Sequence, residues 1–361
     1  MALVLAQFLT GLASASALFL VAAGLSLVFG VTRVVNFAHG SFYLLGAYLG
    51  YTLINALGGG AWGFWLAGAL TALVVGLVGV VMEVVVLRPI YRSPELFPLL
   101  ATFGVVLVIQ DTALWIWGPQ DLLGPRAPGF TGTVTLLGQP IPQYDLLLII
   151  LAPLVLLALW LALHRTRWGI LLRATTQDRE MVAALGVNGR LLMTSALFVG
   201  AALAGLGGAI QLPKGDANLG MDLNIIVEAF VVTVVGGMGS LGGAYLAALL
   251  ISSIKVFAVA NAQYSVLGIA VWQLELVLVF IVMAVVLVLR PQGLLGRAAV
   301  LQEIQGGHAH PPLAPGGGGL WVTLALGVGA ALAALGVGKY GVGLAAEVLL
   351  WALFAGGRRL L

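Results

Sequence analysis

Long apolar stretches dominate the chain, and short polar segments between them hold most of the charge. A helix needs about 20 apolar residues to cross the hydrocarbon core of a bilayer. Runs of that length, or near it, lie at 3–30, 37–57, 61–87, 96–118, 143–164, 191–212, 223–238, 241–257 and 265–289. Two more, 320–338 and 342–356, follow a Gly/Pro/His-rich linker at 298–319. The runs are continuous and do not alternate, which excludes a transmembrane β-barrel. The first run has no basic residues before it and is far longer than a signal-peptide core, so it predicts a retained helix. Two places break the pattern: Val35 to Ser41 (VNFAHGS) and Gly236 to Gly243 (GGMGSLGG). Each is either a turn between spans or a break within the membrane, where irregular backbone needs protein or a cavity around it. The predicted class is all-α, a polytopic transmembrane helical bundle with interrupted helices.

Composition narrows this further. The 361 residues are 61% hydrophobic and 8% charged, against about 25% charged in a soluble domain. A chain so poor in charge is neither a soluble enzyme, nor a disordered segment, nor a nucleic-acid binder. Cysteine is absent, which excludes disulfides and thiolate chemistry. The small net charge of +3 comes from arginines gathered in a few loops. Arg88 and Arg92 share one loop; Arg165, Arg167, Arg173, Arg179 and Arg190 crowd a second; Arg290 and Arg297 follow the run at 265–289. The positive-inside rule puts all three in the cytoplasm, and the segments 119–142 and 213–222 outside together with the N-terminus.

The loop from Arg165 to Arg190 (RTRWGILLRATTQDREMVAALGVNGR) is the longest polar segment on the cytoplasmic side. Thr175-Thr176-Gln177-Asp178 reads as an N-cap with an acid in the first turn. Met181 and Leu185, spaced i, i+4, form one apolar face. Gly186 fits the left-handed position that ends a helix. The result is an amphipathic helix over about 175–186, outside the bilayer. It either docks a cytoplasmic partner or lies flat on anionic headgroups.

These residues resemble a known family. Gly169…Arg173-Ala174…Gln177-Asp178…Ala183-Ala184-Leu185-Gly186-Val187 is similar to the coupling loop of the bacterial branched-chain amino acid ABC permeases. The resemblance continues at Gly24 to Val31 (GLSLVFGV), Val35 to Gly40 (VNFAHG), Leu45 to Tyr48 (LGAY) and Ala101 to Gly104 (ATFG) with Gln110. It includes GGMGSLGG and Leu287 to Gly296 (LVLRPQGLLG), all in the family's order across residues 1–297. The likeness is to the first of the two permease subunits; urea and short-chain amide permeases share the motifs. It implies a machine in the bacterial or archaeal cytoplasmic membrane that imports a small polar or zwitterionic substrate. In it a second permease subunit completes the pathway, two ATP-binding subunits dock on cytoplasmic coupling helices, and a periplasmic or extracellular solute-binding protein delivers cargo. Arg173, Thr176, Gln177, Asp178, Arg179, Glu180 and Gly186 are then the candidates for contact with the ATPase. The chain has no Gly-x-x-x-x-Gly-Lys-[Ser/Thr] loop, so ATP hydrolysis is assigned to a partner.

Polar groups within apolar runs are expensive and mark candidate pathways. Asn36 and His39 sit at the first break, where free amides of a helix starting near Ser41 suit a substrate carboxylate. With Thr102, Gln110 and Asp111 they are the candidate pathway residues; packing across a broken backbone is the alternative for each. Glu228 and Lys255 fall at matching depth near the outer surface, which predicts an ion pair. Glu83, near Arg88, reads as an anchor. The histidines at 39, 164, 308 and 310 form no metal-ligand pattern with carboxylates, so no metal or cofactor is expected. Gly46-x-x-x-Gly50, Ala204-x-x-x-Gly208 and Gly239-x-x-x-Gly243 predict close helix contacts. A secondary transporter or channel would share these spans without needing the 165–190 loop. A membrane enzyme would show clustered acids or histidines in its loops. The resemblance ends near Arg297. Residues 320–361 read as a hydrophobic hairpin entering from the cytoplasm, and Leu344 to Ala355 resembles the opening helix of the partner permease.

Overall fold

The computed structural model describes residues 2–91, 93–94, 96–136, 138–261, 265–266, 269–270 and 275–296. The boundary at 297, the linker and the C-terminal hairpin lie outside them. The apolar runs become helices: α1 (Ala2–Thr32), α2 (Ala38–Ala56), α3 (Ala61–Met82), α4 (Leu96–Trp117) and α5 (Gln143–Arg165). After the cytoplasmic loop come α8 (Gly189–Gln211), α9 (Met221–Gly236), α10 (Leu241–Ala260) and α11 (Glu275–Leu289). Among the described residues, α1, α3, α4, α5, α8 and α10 are long and apolar enough to cross a membrane. Helix α9 has 16 residues, a length of about 24 Å at 1.5 Å per residue, short of the roughly 30 Å core. The run at 265–289 is corrected: it is not one continuous helix, because Ser265–Val266 pairs with Ile269–Ala270, and its described helix is Glu275–Leu289.

Helix α8 is central and packs on α1, α2 and α3. Small residues let it do so. A Cβ on Gly46 of α2 would overlap the Gly205 carbonyl of α8, and one on Gly208 would overlap the Tyr43 carbonyl. Gly24 and Gly200 bring α1 and α8 together in the same way. Dispersion between closely approaching backbones holds such helices, since lipid offers no hydrophobic drive between them. Helix α1 is 83% buried along its most apolar stretch, whereas α4 and α5 are only 22% and 17% buried. Those two present their apolar surface outward, to lipid or another chain.

The two membrane faces separate as the arginines predict. The 118–142 segment and the loop after α8 meet at one end, where β1 (Leu122–Leu123) pairs antiparallel with β4 (Asp216–Ala217). Between them Thr133–Leu136 and Gln139–Pro142 form the hairpin β2–β3. The other end collects the loops assigned to the cytoplasm. There GGMGSLGG is a turn between α9 and α10, with Gly237 (φ 97°) and Gly239 (φ 83°) in conformations that favour glycine. Ser240 caps α10 by accepting the Gly243 N–H at 3.1 Å. The stretch after α11 seals this turn: the Leu294 and Leu295 N–H groups donate to the Val235 and Gly236 carbonyls at 2.8 and 3.1 Å. The GLLG motif thus satisfies the last carbonyls of α9, which a helix leaves open.

Candidate functional site

The 165–190 loop is two helices where sequence predicts one. They are α6 (Arg167–Gln177) and α7 (Arg179–Ala184), broken at Asp178. Thr175 and Thr176 end the first helix instead of starting the second. Asp178 has an extended backbone and is itself the N-cap of α7, accepting the Met181 N–H at 2.8 Å. An N-cap residue is non-helical by nature, so a strong cap inside a helical pattern splits it.

Helix α6 is tethered on its inner face. Thr166 caps it by accepting the Gly169 N–H at 3.1 Å. Gly169 lies so close to the end of α5 that a Cβ would overlap Leu163 backbone. Leu172, 1% exposed, packs with Leu27, Val31, Leu192, Met193 and Ala196. Trp168 donates its indole N–H to the Ser195 hydroxyl at 2.7 Å. Arg33, in the left-handed region at φ 57°, donates to the Thr176 carbonyl at 3.1 Å. In α7 Val182 is buried, while Met181 and Leu185 are 59% and 76% exposed. Gly186 (φ 79°) terminates it, and Asn188 then caps α8 through the Arg190 and Leu191 N–H groups. Arg173, Gln177, Asp178 and Gly186 are exposed and Thr176 is partly so; the Arg179 and Glu180 side chains lie outside the described residues. The loop is therefore a pre-formed element with an apolar pair facing away from the bundle.

The five candidate pathway residues separate. Asn36 is buried and accepts the Ala38 N–H at 3.0 Å, which starts α2. Thr102 of α4 accepts the Phe37 N–H at 3.3 Å and donates to the Leu99 carbonyl at 3.0 Å. His39 is fully buried, its Nε2 lying 2.9 Å from the Val21 carbonyl. A carbonyl only accepts, so the proton sits on Nε2. Gln110 reaches inward, whereas Asp111, one residue on, is exposed on the surface of α4.

Gln110 leads to an acid outside the five candidates. Asp222, in the first turn of α9, is 1% exposed. Its carboxylate accepts the Gln110 amide at 3.0 Å, the Ser41 hydroxyl at 3.1 Å and its neighbour Leu223's N–H at 2.8 Å. No basic side chain pairs with it among the described residues. The N-terminal end of α9 and these donors take the place of a cation. Asp222 so joins α2, α4 and α9 beside the first break. An acid opening a short apolar helix was the available signal; its partners, more than 100 residues away, were not.

Asp222→Ala should leave the buried Ser41 hydroxyl and the half-buried Gln110 amide unpaired, at about 1–3 kcal/mol for the buried donor and less for the other. Asp222→Asn keeps an acceptor and should be far milder. Thermal unfolding of the purified protein compares the two; equal effects would contradict the hub.

Two other expected pairs are present. Glu83, at a π-helical turn (Glu83–Leu87) that continues α3, pairs with Arg88 at 2.7 Å, and both bond the Thr194 hydroxyl of α8. Lys255 pairs with Glu228 at 2.5 Å.

Such a bundle is a multi-pass helical membrane protein built on broken helices and a pre-ordered loop. The sequence profile of the family described as "Branched-chain amino acid transport system / permease component" matches residues 7–289, and the chain belongs to that family. It is an ABC-transporter permease. It is 30% identical to the high-affinity branched-chain amino acid transport system permease protein BraD of Pseudomonas aeruginosa, over 82% of this chain and 97% of that protein. It is 28% identical to LivH of Escherichia coli K12, over 82% of this chain and 96% of the relative. With LivM of the same organism identity is 25%, over 79% of this chain and 69% of LivM. No solved structure matches the chain.

Proposed function

We propose that residues 1–297 are a pathway-forming subunit of a binding-protein-dependent importer for branched-chain amino acids, driven by two ATPase subunits docked on the 165–190 loop. The observation that carries the coupling is the geometry of α6 and α7. A loop that only joined two spans would not need a capped, twice-anchored helix pair presenting Met181 and Leu185 to solvent. Burying such a pair in a partner's cleft is favourable by about 1.5–3 kcal/mol per side chain. The cargo reading rests on the relatives, whose names all specify branched-chain amino acid transport. LivH-type and LivM-type permeases occur together in Escherichia coli, which supports a second permease subunit of the LivM type here. The exposed flanks of α4 and α5, with Asp111 on α4, suit the surface such a partner would cover.

Reconstitution with a LivM-type subunit, the ATPase subunits and the binding protein should give ATP-dependent accumulation of leucine, isoleucine or valine in vesicles. Accumulation of urea or short amides in their place would move the cargo to the related permeases. Uptake indifferent to ATP would overturn the coupling.

A further inference from the structure

At the membrane end opposite α6 and α7, residues of α1, α9 and α10 line an open pocket of about 680 Å³. That size lies in the range of small-molecule sites, roughly 300–1,000 Å³. Its lining includes the Glu228–Lys255 pair together with the apolar side chains of Leu18, Ile225 and Val256. This ion pair differs from the others in the bundle. In the Glu83–Arg88 and Asp145–Lys214 pairs the carboxylate is only 1% and 6% exposed, and the basic partner, at 35% and 17%, carries the exposure. Glu228 and Lys255 are 19% and 25% exposed, and both line the open space. A pair that served only to neutralise two buried charges would gain nothing by facing a cavity of this size.

We propose that this cavity is a zwitterion site on the outer side of the pathway. A free amino acid binds with its ammonium group at Glu228 and its carboxylate at Lys255, and lays its aliphatic side chain against Leu18, Ile225 and Val256. The inference rests on the transport reading above and adds the place and chemistry of recognition. One ion pair is exchanged for two, so no charge is left uncompensated. A ligand with a single charge makes only one of the two new contacts while breaking the Glu228–Lys255 pair, so it gains no net ion pair. A neutral amide satisfies neither. The site thus favours amino acids over their one-charge analogues whatever their shape.

The chain has no cysteine, so single introduced cysteines report on the cavity directly. In the full reconstituted transporter, Gln7→Cys and Val256→Cys are to be labelled from outside with a membrane-impermeant thiol reagent. Both should react. Leucine at millimolar concentration should slow labelling by about tenfold, the effect of a nearly filled site. Isocaproate and isoamylamine, which keep the side chain but only one charge, should slow it less than about twofold on the same scale. Glu228→Gln or Lys255→Gln should abolish the leucine effect; the analogue comparison tests the same point with both native charges in place. Unreactive cysteines, equal protection by all three compounds, or no protection in a preparation that accumulates leucine would each overturn the site. Protection without ATP-driven uptake would leave the site standing and overturn the transport reading instead.

Discussion

Replacing Met181 and Leu185 together by aspartate is expected to abolish ATP-driven uptake while leaving the protein's abundance in the membrane unchanged. Both side chains are largely exposed, at 59% and 76%, so the folded chain loses almost nothing. Surface substitutions of this kind change stability by about 0.5 kcal/mol or less. A docked ATPase would feel the change strongly. Apolar anchors at the centre of an interface contribute about 2 kcal/mol or more each, and a charge left in their pocket adds a desolvation penalty. At 1.4 kcal/mol per factor of ten, loss of both anchors means at least about a hundredfold weaker docking. The measurement is ATP hydrolysis and leucine uptake in the same vesicles, with co-purification of the ATPase as the direct readout. Retained co-purification and uptake would place the docking surface elsewhere. Leu172→Asp makes a useful contrast. Leu172 is buried against α1 and α8, so that substitution should lower the amount of folded protein as well.

Gly46→Leu is expected to prevent stable assembly of the bundle. A Cβ at this position already overlaps the Gly205 carbonyl, so α2 and α8 must move apart along their whole crossing. Overpacking a core usually costs about 1–3 kcal/mol through shifted side chains. Here the obstacle is backbone, which cannot change rotamer, so the loss should exceed that range. Separation would also pull the Gly208–Tyr43 contact apart and disturb the adjoining Asp222 hub. Gly104→Leu on α4 is the control, because a Cβ there meets nothing within 4 Å. Fluorescence-detected size exclusion after detergent extraction should show aggregated or absent protein for Gly46→Leu and a normal profile for Gly104→Leu. A normal profile for both would show that the bundle relaxes around the added side chain.

Element placement was legible in the sequence because a bilayer imposes a local rule. Every spanning helix satisfies its own backbone and must be apolar along its length, so the runs and their order can be read residue by residue. Charge placed the loops for a similar reason: arginines concentrate on one side, and the pairing of Leu122–Leu123 with Asp216–Ala217 joins the two segments assigned together to the other. The Glu228–Lys255 pair followed from depth alone. The loop from Arg165 to Arg190 was legible as helical, but not its break, because Asp178 reads equally as a first-turn acid and as a cap until the backbone is seen.

What tertiary structure alone decided is which buried groups meet. Asp222 finds Ser41 and Gln110, His39 finds the Val21 carbonyl, and the Leu294 N–H finds the Val235 carbonyl. Apart from His39 and Val21, which follow one another across the first break, these partners lie on segments far apart in the chain. Nothing in the local pattern of either one encodes the other. Glycines set how close the backbones come: Gly24 and Gly200 where α1 crosses α8, Gly46, Gly205 and Gly208 where α2 crosses α8, Gly40 beside the Asp222 carbonyl of α9, and Gly237 and Gly293 where the chain after α11 meets the end of α9. Hydrophobic pattern determines that a segment enters the membrane and for how long; close packing determines its rotation and neighbours. That is why sequence names Asn36, His39 and Thr102 as candidates, while only the fold shows the hydrogen bonds they make at the first break and the exposure of Met181 and Leu185.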